Sequence, residues 1–281
     1  MLPKLGIIAG GGKLPGELIK HCQASGRDFF VIALTDQAEA SDLVGVAHEW
    51  VRLGAAGKAI KLLRANAVEE LVLAGSVKRP SLSALRPDLW TARFFARTGT
   101  SGLGDDGLLS GLITALQTQE GFRVVGSDDL LPDLIAPEGS LGRIAPSSRD
   151  HQDISIGILA AQELGSMDIG QAVVVRDSRV VGREDKQGTD MLIATVPPPP
   201  CGERSGVLVK TAKPQQERRA DLPTIGPETI EGAHAAGLAG IALEAGNALI
   251  LDRVKVIELA DQHGIFVVGV TPGSATGGSG D

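Results

Sequence analysis

Two aspartates in the second half of the chain are placed for phosphate chemistry. Asp221 opens the run Asp221-Leu222-Pro223-Thr224-Ile225-Gly226-Pro227, whose two prolines stiffen the backbone and aim a carboxylate. Asp190 follows Gly188 and Thr189 at the opening of a predicted helix, a place that a plain N-cap would also occupy. Lys210-Thr211-Ala212-Lys213-Pro214 ends a predicted strand and offers two ammonium groups around a hydroxyl. A pyrophosphate repels water until a metal and cations offset the charge on its oxygens. Magnesium suits such a site, because it binds through one or two carboxylates together with water and phosphate oxygens. The candidate metal pair is therefore Asp190 and Asp221, with Glu244 in reserve, and Lys210 and Lys213 are candidates to hold phosphates. Capping aspartates and surface lysines are common, so residue types alone leave the plainer reading open.

Two glycine loops in the first half add places for an anion. Gly10-Gly11-Gly12-Lys13 falls between a predicted strand and helix, where helix amides face a ligand and glycines permit close approach. It is not the dinucleotide fingerprint, since Pro15 occupies the third glycine position, and Gly57-Lys58-Ala59 is not a Walker sequence. Gly75-Ser76-Val77-Lys78-Arg79-Pro80 follows another strand, and its two cations could neutralise phosphates. A tight turn and a solvated loop are the plain readings of these segments.

The elements that must position these groups form two α/β patterns. Apolar runs at 5–9, 29–34, 71–74 and 122–125, with a candidate third strand at 48–52, alternate with helical spacing at 14–25, 57–66 and 106–120, which predicts a Rossmann-like parallel sheet covered on both faces. Residues 132–146, rich in proline and glycine, read as a linker. Beyond them a helix at 149–164, a hairpin turning at Asp177-Ser178, strands at 206–210, 240–243, 248–251 and 265–270, and helices at 227–236 and 252–263 predict a second α/β domain with a mixed sheet. Pro197 to Pro200 form a stiff loop. The expected domains are 1–131 and 147–272, with the ligand between them and a flexible tail at 273–281.

Bulk composition narrows the classes. The chain has 281 residues, 43% of them hydrophobic, and a formal net charge of −7, which argues against a general nucleic-acid binder. Cys22 and Cys201 form no CxxC pair, the five histidines show no metal spacing, and no GxSxG is present. No stretch approaches the roughly 20 apolar residues of a spanning helix, and glycines break the N-terminal apolar run before a secretory signal could form. The expected address is cytoplasmic.

Taken in order, the runs 5–12 (LGIIAGGG), 74–81 (AGSVKRPS), 123–126 (RVVG), 130–132 (LLP), 168–177 (DIGQAVVVRD), 188–190 (GTD), 209–214 (VKTAKP), 221–226 (DLPTIG) and 237–246 (GLAGIALEAG) resemble the LpxI family of UDP-2,3-diacylglucosamine pyrophosphatases. The resemblance covers nearly the whole chain. It implies a magnesium-dependent hydrolase of lipid A biosynthesis that gives 2,3-diacylglucosamine 1-phosphate (lipid X) and UMP, with water attacking the phosphorus on the sugar side. It also implies two domains with the ligand between them, and peripheral contact with the inner membrane and homo-oligomerisation are compatible with it. Asp221 matches the family's essential aspartate, and Gly11, Gly12, Ser76, Val77, Lys78 and Arg79 match its ligand-contacting loops. Gln171, Thr189, Thr211 and Lys213 complete the expected substrate-binding set, and Asp221, Asp190 and Lys210 the catalytic one. Ahead of Gly188 the family shows an acidic residue; here Glu184 and Asp185 both qualify.

Two other classes compete. A nicotinamide-dependent oxidoreductase would use Asp36, after the second strand, for a ribose, although Pro15 breaks its fingerprint. A non-catalytic carrier of acylated nucleotide sugars would bind the same ligand without releasing UMP. The acyl chains need an apolar surface, and Leu85, Leu89, Trp90, Phe94 and Phe95 form a patch that core packing explains equally well.

Overall fold

The apolar runs of the first half pair into a parallel sheet. The computed structural model describes residues 2–78, 85–98, 105–199 and 203–273. Its first half runs β1 (Leu5–Ala9), α1 (Leu14–Ser25), β2 (Phe29–Leu34), β3 (His48–Val51), α2 (Ala56–Ala65), β4 (Glu70–Ala74), α3 (Leu89–Thr98), α4 (Asp105–Thr118), β5 (Arg123–Val124) and α5 (Ser127–Leu130). The strands stand in the order β3-β2-β1-β4-β5, all parallel. Strands such as Phe29–Leu34 are apolar along their length because helices cover both faces of the sheet. Phe30, Ile32, Leu63, Leu71, Ile113 and Phe122 make its core. At the N-terminal end of β4 the buried Glu70 carboxylate bridges two guanidinium groups, Arg27 Nη2 at 2.5 Å and Arg123 Nε at 2.6 Å.

The second half runs β6 (Gly139–Leu141), α6 (Ser148–Ser166), β7 (Ala172–Arg176), β8 (Arg179–Arg183), α7 (Thr189–Thr195), β9 (Val207–Lys210), β10 (Thr224–Ile225), α8 (Pro227–Ala235), β11 (Gly240–Glu244), β12 (Leu249–Ile250), α9 (Arg253–His263) and β13 (Phe266–Val270). Six of these strands form a sheet in the order β6-β13-β11-β9-β7-β8. β9, β11 and β13 are parallel, while β6, β7 and β8 run antiparallel to their neighbours. The sheet is mixed, as the sequence predicts. The β7–β8 turn falls at Asp177 and Ser178, both with positive φ, the backbone that a two-residue hairpin demands. α6 packs on β7 and β9, and its N-terminus is closed reciprocally by Ser147 and Asp150.

Contacts group Met1–Pro132 with Glu217–Asp221 as one unit, and Asp133–Gln216 with Leu222–Asp281 as the other. Residues 132–146, read from sequence as a linker, contain β6, and Ile135 bridges Leu249 within the second unit. Arg79, Pro200, Cys201 and the tail beyond Gly273 lie outside the described residues.

Candidate functional site

In the first unit, the strand order reverses between β1 and β4, the switch point at whose carboxyl ends open α/β sheets bind ligands. Those two loops are stitched together. Gly11 N–H donates to the Ser76 carbonyl at 2.7 Å, Ser76 N–H donates to the Gly11 carbonyl at 3.0 Å, and Gly10 N–H donates to the Ala74 carbonyl at 2.8 Å. Glycine is required here by contact. A Cβ on Gly75, which has φ of 88°, would strike the Gly11 carbonyl, and one on Gly10 would lie 2.5 Å from the Ser76 carbonyl. The loop after β2 joins them, since Gln37 Oε1 accepts from Lys78 N–H at 2.8 Å. Gly11, Gly12, Ser76, Val77 and Lys78 thus gather at the carboxyl edge of the sheet, with Gly12 and residues 76–78 exposed. A hydroxyl on Ser76 and an ammonium group on Lys78 at this edge suit an anion.

The same edge weighs against nicotinamide chemistry. Pro15 is buried in the first turn of α1, where a dinucleotide fold needs its third glycine. Asp36 has φ of 62° and serves as the left-handed residue of the turn after β2.

In the second unit, β9 and β11 end where the antiparallel β7 begins, because Lys210 pairs with Ala172 and with Leu243. That edge is polar although its strands are apolar. Lys210 is buried, and its ammonium group donates to the Thr224 carbonyl at 3.0 Å. Thr211 N–H donates to the Gln171 carbonyl at 3.1 Å, while the Thr211 hydroxyl, on a residue 1% exposed, has no hydrogen-bond partner. Lys213 Nζ pairs with Asp168 Oδ1 at 2.7 Å, and Gln216 Nε2 donates to Gln171 Oε1 at 3.3 Å. Glu244 accepts from Ala212 N–H at 2.9 Å and Asn247 Nδ2 at 2.6 Å, so one oxygen braces the loop after β9 and the other the turn after β11. Among the described residues no three His, Cys, Asp or Glu side chains gather as a metal cage.

The edge also distinguishes the two acids left open by the sequence. Glu184 is 6% exposed; it accepts from Gln171 N–H at 2.6 Å and from the Thr189 hydroxyl at 2.5 Å. Asp185 is exposed and accepts from Gln187 N–H at 2.8 Å. Glu184 is therefore the residue that ties Gly188-Thr189-Asp190 to the sheet. Its signal in the sequence was an acid beside another acid, which carries no register.

The structure brings together Gln171, Thr189, Lys210, Thr211 and Lys213. Asp190 is exposed in the first turn of α7 and lines a groove of about 400 Å³ with Ile193, Pro199 and Glu228. Asp221 is half-buried at the end of the turn 217–221, where its N–H and that of Ala220 donate to the Glu217 carbonyl at 3.1 and 2.8 Å. Hydrogen bonds from Arg219 hold the Glu217 carboxyl below its ordinary pKa, against the opposing effect of burial.

Residues 4–134 match the LpxI N-terminal domain and residues 137–268 the LpxI C-terminal domain. The chain is 41% identical over 276 residues to the UDP-2,3-diacylglucosamine pyrophosphatase LpxI of Caulobacter vibrioides, an alignment covering 96% of this chain and 98% of that protein.

Proposed function

Because the chain belongs to the LpxI family, we propose that it hydrolyses UDP-2,3-diacylglucosamine to 2,3-diacylglucosamine 1-phosphate and UMP. A water oxygen bonds to the sugar-side phosphorus, the bridging P–O bond breaks, and UMP leaves with the bridging oxygen. The observation that best supports the reading in this chain is the convergence of Gln171, Thr189, Lys210, Thr211 and Lys213 on one sheet edge. A buried hydroxyl without a protein partner, as at Thr211, is costly unless a ligand oxygen or group answers it. Lys210 and Lys213 hold phosphate oxygens, and the loops of Gly11, Gly12 and Ser76 to Lys78 receive the nucleotide. Asp221 orients the attacking water.

In this reading Asp190 and Asp221 are the carboxylates that would hold a magnesium ion, with phosphate oxygens and water completing its shell. When bound, it would offset the charge on the pyrophosphate oxygens. We place the reaction at the cytoplasmic surface of the inner membrane, where an acylated substrate is presented. No helix among the described residues is long and apolar enough to cross a membrane.

The test is release of UMP from the acylated UDP-sugar by purified protein, with magnesium and with a chelator. Magnesium-dependent UMP is expected. An intact substrate under both conditions would end the reading, and equal rates under both would remove the metal from it.

A further inference from the structure

The five residues that end in Asp221 belong by contact to the first unit, whereas the chain on either side of them belongs to the second. The preceding residue, Gln216, is bound back to Lys213, whose N–H donates to Gln216 Oε1 at 2.9 Å. After Asp221, the Pro223 carbonyl accepts from Leu249 N–H at 2.8 Å. The turn is thus short, pinned at both ends, and turned toward other partners.

Those partners flank the edge strand β5. Arg218 Nε donates at 2.9 Å to Asp128 Oδ2, on α5 after the strand, and Arg219 Nη1 donates at 2.6 Å to Gln117 Oε1, on α4 before it. Ala220 packs against the core of the first sheet. Arg219 is itself aimed, because Glu217 takes its Nε and Nη2 at 2.8 Å each. Asp128 has a prepared seat, since it folds back against Gly126, where a Cβ would collide with its carboxylate. Asp128 is 11% exposed but Arg218 is 46% exposed, and so open an ion pair adds little to folding stability. Its effect is geometric: Arg218 and Arg219 stand three and two residues before Asp221, in the same turn that Asp221 N–H closes on the Glu217 carbonyl.

We infer that the turn 217–221 is a strap through which the first unit sets the direction of Asp221, with Asp128 and Gln117 as its positioning residues. This rests on the assignment of Asp221 to the hydrolysis proposed above. Asp128 then acts through its charge, and an inverted pair should serve as well as the native one.

The experiment compares D128N, D128R, R218D and the double inversion D128R/R218D with the wild-type protein, in both the native and the D221A background. The single variants should lose about tenfold or more in kcat with KM nearly held, as misplacement of a catalytic group does. The double inversion should recover most of the loss, and D128N should cost nothing further once Asp221 is alanine. Amide hydrogen exchange supplies a readout independent of turnover: the Ala220 and Asp221 amides should exchange about tenfold faster in D128N. Unchanged exchange, or an equal kcat loss in the D221A background, overturns the strap. If D221A itself turns over normally while exchange responds as expected, the strap stands as an anchor and the assignment of Asp221 to the chemistry is what fails.

Discussion

The Thr189 hydroxyl donates to Glu184 at 2.5 Å, and the second oxygen of that buried carboxylate is occupied by Gln171 N–H. One side chain therefore fixes both the start of β7 and the turn that carries Asp190. Glu184→Ala would strand a buried amide, which costs about 1–3 kcal/mol. It should lower both the unfolding midpoint and kcat, whereas Glu184→Gln, which can still accept from Gln171 N–H, should keep most of the stability. Denaturant titration beside UMP release separates the two effects.

Asp221→Ala should keep the fold and lose at least about a thousandfold in kcat, equivalent to about 4 kcal/mol of transition-state stabilisation. Near-normal turnover in a variant with a native unfolding curve would remove Asp221 from the chemistry.

Gly75→Ala places a methyl group on the Gly11 carbonyl in a backbone of positive φ. Strain of about 1–3 kcal/mol is expected, relieved by parting the loops after β1 and β4. If those loops receive the nucleotide, KM for the UDP-sugar should rise more than kcat falls. A variant with unchanged KM would show that the stitched loops do not bind it.

Burial alone would raise the Glu70 pKa, but hydrogen bonds and charge from Arg27 and Arg123 hold it below its ordinary value. The folded state therefore binds a proton here less readily than the unfolded chain does. The resulting stability is complete above the ordinary glutamate pKa of about 4.3 and is lost as the pH falls through the lower folded value. Glu70→Gln should cost about 3–5 kcal/mol at neutral pH, because it leaves the buried Arg27 charge short of a counterion. Thermal unfolding between pH 3 and 7 should show a steeper acid loss for the native protein than for this variant.

The inner strands β1, β2 and β4 were legible because burial on both faces forces continuous apolar runs, and those of β1 and β4 end at glycines. Lys210, Thr211 and Lys213 were legible as a cluster, and β9 does bring them to a sheet edge. β10 was hidden, since two residues between Pro223 and Pro227 show no period. The seam between Gly11 and Ser76 was invisible for another reason: each loop reads alone as a turn, and only parallel register sets them side by side. Arg218 and Asp128 are 90 positions apart, and nothing local in either marks the other.

β6 caps the β13 edge of the second sheet, and it comes from residues that precede every other element of that unit. A C-terminal fragment cut at Ser147, the natural place by domain arithmetic, would bare a row of unpaired N–H and C=O groups on an apolar strand. Such an edge recruits copies of itself. A fragment that retains Gly139–Leu141 should remain dispersed, whereas the shorter one should precipitate or assemble edge to edge.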